Sequence, residues 1–265
     1  MNNDTKIQVA QERDYKVVKA NEIIQKAKFD LSLMEQKTFC YAVSKIKPDD
    51  QEGTEYTFGI NEYCDVCGIN RNDGRTLENV KAALKRLRDK SFYLVEPDGS
   101  QVLVGWLSKA RILPKSGKVK IKFDEDMQKY LVGLQSNYTQ YSLLSVLPMR
   151  SAYSIRLYEI LKCYAGLRQK HKEFDIDDLK TKLMAPYSNF KDFRIKVLEI
   201  ATREINEYTD IEISWEPILK GRKVEKIRFD VTERSSWGAY IASRRAIEQL
   251  DGQLELQPDG SLREV

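Results

Sequence analysis

One succession of elements occurs twice in this chain, and that repetition limits the folds open to it more than any other feature. A short strand of the form Phe-x-Ile, Phe58/Ile60 in the first half and Phe174/Ile176 in the second, leads into a short helix. A longer amphipathic helix follows, with its first core valine (Val80 or Val197) at nearly the same distance onward, and a basic β-ribbon closes each half. The repetition is one of pattern, not identity, which argues for one supersecondary unit used twice. A helix pair followed by a hairpin is a helix-turn-helix with a wing. The expected fold class is α+β, with two tandem winged-helix domains.

Local signals set the expected boundaries. Residues 1–14 are polar and read as a flexible N-terminal arm. The first domain is expected over 15–147. It takes one helix from Val17 to Lys26 and another from Ser32 to Ile46, which Pro48 ends. A strand over 55–60 and a brief helix capped by Asn61 follow. From Thr76 a stronger helix carries Leu77, Val80, Ala83, Leu84 and Leu87 as one apolar stripe. Strands over 91–96, 101–113 and 118–123 flank turns at Pro97-Asp98-Gly99 and Pro114 to Gly117, and 124–147 reads as connecting helices.

The second domain is expected over 148–231: a helix from Ser151 to Leu167, a strand over 172–176, and a small helix capped by Asp175 or Asp177. A helix from Phe190 to Asn206, with Phe193, Val197, Ile200, Ala201 and Ile205 inward, precedes strands over 210–217 and 224–231. In the tail, 232–265, Trp237, Tyr240, Ile241, Ile247 and Leu250 suit one amphipathic helix before a looser end.

Much chemistry is excluded by what is missing. There is one histidine, His171, in a lysine-rich stretch, which leaves little for acid–base or metal work. Neither a G-x-x-x-x-G-K-[ST] loop nor a strand-linked G-x-G-x-x-G occurs. Cys64-Asp-Val-Cys67 has no second pair to complete a zinc site, and the four cysteines read as reduced, partly buried thiols. No enzyme activity, cofactor or metal is expected. No apolar run reaches a membrane span and no signal peptide is seen, so a cytoplasmic protein without a membrane partner is expected.

The positive signals are basic. A formal net charge of +4 is mild, so the distribution of charge carries the argument. From Trp106 to Phe123 there are Lys109, Arg111, Lys115, Lys118, Lys120 and Lys122 with no acidic residue. The second ribbon carries Lys220, Arg222, Lys223, Lys226 and Arg228 against Glu225 alone. Such ribbons suit phosphate contact beside a groove, although lysines also blunt an exposed sheet edge. The helices before them are candidate readers of base edges. Arg75, Asn79, Lys81 and Arg86 lie on the first; Ser188, Asn189, Lys191, Arg194 and Lys196 crowd the start of the second. The expected partner is double-stranded DNA.

The runs Tyr153-Ser-Ile-Arg-Leu-Tyr-Glu-Ile-Leu161, Phe174-Asp-Ile-Asp-Asp-Leu179, Asp192-Phe-Arg-Ile-Lys-Val-Leu-Glu199, Glu204-Ile-Asn206, Gly221-Arg-Lys223 and Ile227-Arg-Phe229 resemble the second domain of iteron-plasmid replication initiators. Val18-Lys-Ala-Asn-Glu22, Leu33-x-Glu-Gln-Lys37 and the Val80 to Leu87 helix resemble the first more loosely, so the likeness covers residues 15 to 231. The resemblance implies that monomers bind direct repeats at a plasmid origin, open the adjacent duplex, and recruit the host replication initiator and replicative helicase. It also implies dimers that bind an inverted-repeat operator and repress their own gene. Carried onto this chain, Lys191, Arg194 and Lys196 are the contacts of the second domain, while Ile195 stands where relatives can carry a basic residue. Alternatives stay open at this point: a tandem winged-helix repressor with no initiation role, a tyrosine-dependent nicking initiator, and a scaffold that binds no DNA.

Overall fold

The computed structural model describes residues 3–70, 75–96, 98–165, 171–251, 254–256 and 262–264. The chain opens with a helix, α1 (Asn3–Arg13), where a flexible arm is expected. Val9, Glu12 and Arg13 are buried. Arg13 explains why: its guanidinium donates to the carbonyls of Val66 and Asp65, both at 2.9 Å, at the end of a later helix. Helix C-termini leave carbonyls without partners and favour a cation. The expected helix from Val17 to Lys26 is instead a strand, β1 (Lys16–Ala20), followed by α2 (Asn21–Lys26). Val17 and Lys19 alternate inward on β1, a period of two that a helix cannot satisfy. The strand finds its partner in Tyr138–Ser142, antiparallel from Lys16↔Ser142 to Ala20↔Tyr138.

A capping box starts α3 (Leu33–Val43): Ser32 Oγ accepts from the Glu35 amide, and the Glu35 carboxylate accepts from that of Ser32. After β2 (Glu55–Gly59), helix α4 (Ile60–Val66) begins two residues earlier than expected. Its cap is Gly59, not Asn61, with Glu62 reaching back to the Gly59 amide. Cys64 and Cys67 are both buried there, and all four cysteines are free thiols. Helix α5 (Thr76–Asp89) buries Val80, Ala83, Leu84 and Leu87 as expected. Leu77 leaves the stripe, and Thr76 takes the inner position, its hydroxyl donating to Asn70 O at 2.6 Å.

The run 101–113 is divided at Trp106. β3 (Ser91–Val95) and β4 (Gln101–Gly105) form a separate ribbon, while β5 (Leu107–Leu113) and β6 (Lys118–Phe123) join β2 in a sheet of order β2-β6-β5. Trp106 is buried at the junction, with ring centroids 4.6 Å from Phe29, 4.7 Å from Phe39 and 4.9 Å from Phe92. The segment expected as connecting helices holds a short α-helix, α6 (Glu125–Gln128), then β7 (Tyr138–Ser142), the partner of β1, and a 3-10 turn at Leu143–Ser145.

The chain continues through α7 (Ala152–Lys162), followed by β8 (His171–Asp175) and α8 (Ile176–Lys182). Residues 166–167, expected to end the α7 helix, lie outside the described residues. Asp175 caps α8, accepting from the amides of Asp177 and Asp178. Phe190–Phe193, a π-helical turn at Arg194–Leu198 and Glu199–Tyr208 run on as one helix, α9 (190–208). β9 (Ile211–Lys220) and β10 (Lys223–Glu233) complete a sheet of order β8-β10-β9. The tail forms α10 (Ser236–Asp251), and Leu254–Leu256 pairs with Leu262–Glu264. α10 turns Ala242, Ala246 and Ile247 inward and packs Leu250 against the core, so the expected face is met at Ile247 and Leu250, while Trp237 stands in solvent.

One continuous core joins the halves. Inside it Lys19 Nζ lies 2.5 Å from the Glu159 carboxylate, which also accepts from Tyr141 Oη. Burial alone would drive both groups toward neutrality. The Glu159 carboxylate, flanked by Lys19 and Arg156, is nonetheless held below the usual carboxylate range. Lys19, between the Cys40 thiol and Glu159, is raised. Glu204 of α9 accepts from the amides of Arg150 (2.9 Å) and Ser151 (3.3 Å) at the start of α7. These contacts tie α9 to α7, which Lys19 and Glu159 tie in turn to β1.

Candidate nucleic-acid interface

Each half presents a helix and a hairpin, and the cations on them fall into two groups. On α5, Arg75 occupies the N-cap position and Asn79 lies one turn on; both are exposed. Lys81 is half-buried and paired with Glu78 at 2.7 Å. Arg86 sits at the far end of α5 and reaches back to α3, where Glu35 is 1% exposed. Lys90 joins the same carboxylate at 2.8 Å. Burial opposes the Glu35 charge. The hydrogen bonds from Lys90, the Ser32 amide and Arg86 outweigh it and lower the pKa. Arg86 therefore holds α5 onto α3, and the structure separates it from Arg75 and Asn79.

On α9, Asn189 is the N-cap, its side chain accepting from the Asp192 amide at 2.8 Å. Ser188 and Lys191 are exposed beside it. Arg194 meets Glu199 at 3.4 Å and Lys196 meets Asp192 at 3.7 Å, both loose surface contacts. The Lys196 ammonium also lies 5.2 Å from the centroid of the Tyr187 ring. Ser188, Asn189, Lys191, Arg194 and Lys196 are thus gathered on the first two turns of one helix. A π turn widens the helix by one residue, so Arg194, Ile195 and Lys196 all face solvent while Val197 and Leu198 are fully buried.

In the first wing, Arg111 lies opposite Lys120 and Lys109 opposite Lys122. Like charges facing across strands destabilise a ribbon unless something neutralises them. The acid missing from the ribbon's own sequence comes from its neighbour: Glu55 on β2 accepts from Lys109 at 2.7 Å and pairs with Lys120 at 2.8 Å. Those hydrogen bonds hold the Glu55 carboxyl down at about 2. Lys109 therefore belongs to the wing base. Among the described residues Arg111, Lys115 and Lys118 form no ion pair, and all three are exposed around the tip. Lys115 has φ 61° and Gly117 φ 60°, the left-handed region that gives the turn its tightness.

The second wing repeats this division. At its base Arg228 pairs with Glu173 (2.8 Å) and Glu216 (3.0 Å), and Lys226 with Glu173 (3.5 Å). Toward the tip Lys220 pairs with Glu225 at 3.1 Å. Arg222 and Lys223 flank the turn at Gly221, exposed and without an ion pair among the described residues. Sequence reasoning names Arg111 only as one ribbon cation among many, and it misses the exposure of Leu77 and Ile195. The signal for Arg111 lies in register: counting back from Gly117 places it beyond the reach of Glu55 on β2.

The family described as Initiator Replication protein, WH1, matches residues 16–162, and its companion, Initiator Rep protein, WH2, matches residues 175–231. A replication initiation protein of Escherichia coli is 25% identical over 226 residues, covering 81% of this chain and 69% of its own. The PI protein of Escherichia coli is 27% identical over 146 residues, 48% of this chain and 47% of its own. The structure of the Pi initiator protein in complex with iteron DNA superposes with a TM-score of 0.70 at 19% identity, covering 84% of this chain and 99% of that one. At that identity the superposition speaks for the fold, two winged helices in tandem. With the first family match alone spanning more than half of its length, the chain belongs to the family of initiator replication proteins.

Proposed function

We propose that this protein starts replication at a plasmid origin by binding directly repeated sequences, or iterons, in double-stranded DNA. The observation that carries the reading is that each half pairs a groove-sized helix with a hairpin whose tip carries cations with no ion pair among the described residues, Arg111, Lys115 and Lys118 in the first and Arg222 and Lys223 in the second. The base readers are Arg75 and Asn79 on α5 and Ser188, Asn189, Lys191, Arg194 and Lys196 on α9; Arg111, Lys115, Lys118, Lys220, Arg222 and Lys223 hold phosphates. Two readers on one chain span about two turns of duplex, near 20 base pairs. Binding loses affinity with salt at a slope of about −0.9 per phosphate neutralised. The role is binding, opening of the adjacent duplex and recruitment of the host initiator and helicase, rather than catalysis.

Dimers bind an inverted repeat and repress the gene. The ribbon β3/β4 supports self-association: Tyr93 and Leu103 face each other across the strands, and with Val95 they leave an apolar surface in solvent. DNase footprinting on DNA flanking the gene tests the initiator reading. Protection of direct repeats beside an AT-rich segment is expected, and protection of a lone palindrome would leave only the repressor. Supercoiled origin DNA incubated with the protein and a divalent metal should stay unnicked.

A further inference from the structure

Two branched aliphatic side chains occupy surfaces that otherwise carry charge and amide groups. Ile195 is 41% exposed and Leu77 is 43% exposed. Single exposed apolar residues are ordinary; these two share a position in the architecture. Each stands in the first two turns of a reader helix, Leu77 in the first turn of α5 at the edge of the buried stripe, and Ile195 between Arg194 and Lys196 in the sequence of α9. Ile195 owes its exposure to the π turn, which turns three consecutive residues outward while Phe193, Val197 and Leu198 fill the core beneath. The core therefore has no use for this side chain, although Phe193 and Val197, two residues away on either side, are fully buried.

Base edges in the major groove supply the complement. Among the four bases only thymine offers a methyl group there, and an aliphatic side chain on a helix that also carries hydrogen-bonding cations and amides matches a thymine whose neighbours take those groups. Cytosine in its place would set an amino donor against carbon and leave it unpaired. We propose that Ile195 and Leu77 read the 5-methyl groups of thymines, so that each half of the binding site is selective for thymine at one position. This rests on the DNA-binding reading above and adds to it a specificity that cations alone cannot give.

Replacing thymine by uracil removes the methyl and keeps every hydrogen-bonding group. The wild-type protein is used to select a preferred duplex from a randomised pool, and each thymine of that duplex is then changed to uracil in turn. We expect a loss of about four-fold in affinity, one methyl of burial, at one position in each half of the site. Ile195→Ala should abolish the uracil effect in the second half and keep it in the first, and Leu77→Ala the reverse. Both side chains are exposed, so melting temperatures of the variants should match wild type. The proposal fails if wild type tolerates uracil everywhere, or if a variant keeps the wild-type uracil profile. It also fails if Ile195→Ala weakens thymine and uracil duplexes alike. A pool from which no sequence is enriched would instead bring down the DNA-binding reading itself, and this proposal with it.

Discussion

In the first domain Arg86 and Lys90 reach back to Glu35, and Lys109 and Lys120 close on Glu55. In the second, Lys191, Arg222 and Lys223 form no ion pair among the described residues, and Arg194 meets Glu199 only at 3.4 Å. The contrast also runs within each wing: base cations are neutralised by acids on adjoining strands, while at the tips Arg111, Lys115, Lys118, Arg222 and Lys223 form no ion pair among the described residues and Lys220 meets Glu225. A count of lysines and arginines therefore overstates what a surface can offer to a phosphate. A cation already bonded to a carboxylate must give up that bond, while an unpaired one exchanges only water and counterions.

Four measurements can break or sharpen this contrast. The largest effect is expected at Arg194→Ala, which should lose about 1–3 kcal/mol of discrimination between the repeat and random duplex, read as an affinity ratio. An unchanged ratio would remove Arg194 from the readers. Next comes Arg222→Ala with Lys223→Ala. Affinity should drop for all sequences alike, and the salt slope should become shallower by about 1.8, two phosphates' worth. A change confined to one sequence would make the wing a base reader instead.

Arg86→Ala should behave as a structural change. Its loss should lower stability by at most about 1 kcal/mol, since the side chain is half in water, and leave the affinity ratio alone. Selectivity lost with stability intact would return Arg86 to the DNA. The smallest effect concerns Glu55→Gln. Because the folded carboxyl is held near 2, below its ordinary value of 4.5, its contribution to stability is present above 4.5 and disappears as pH falls toward 2. Acid titration of the variant should be flatter than wild type across that window. Freed Lys109 and Lys120 should also bind DNA somewhat more tightly at neutral pH. Parallel acid curves would contradict the pairing.

Local periodicity made much of the architecture legible. The α5 stripe from Val80 to Leu87, the Ser32 start of α3 and the Asp175 cap were readable because short-range patterns decide them. Lys16–Ala20 was not, because its strand exists through a partner more than a hundred residues away in sequence. Arg13 was misplaced for the same reason: the carbonyls it caps belong to α4. Within the interface, composition identified the cationic ribbons. Pairing across strands, which composition does not encode, then divided their bases from their tips.

The widened turn at Arg194–Leu198 is a place where the helix can lose a residue without rewinding what lies on either side. Deleting a single residue there would restore ordinary α-helical winding and leave the turns before and after it close to their present orientation, since a wide turn holds one residue more than an α turn. Asn189 and Lys191, like Ala201, Ile205 and the Glu204 clamp on α7, would keep their places, and only the outward face of Arg194, Ile195 and Lys196 would change. A plasmid lineage could in this way acquire a new repeat preference by a codon-sized deletion, with no substitution in the hydrophobic interior.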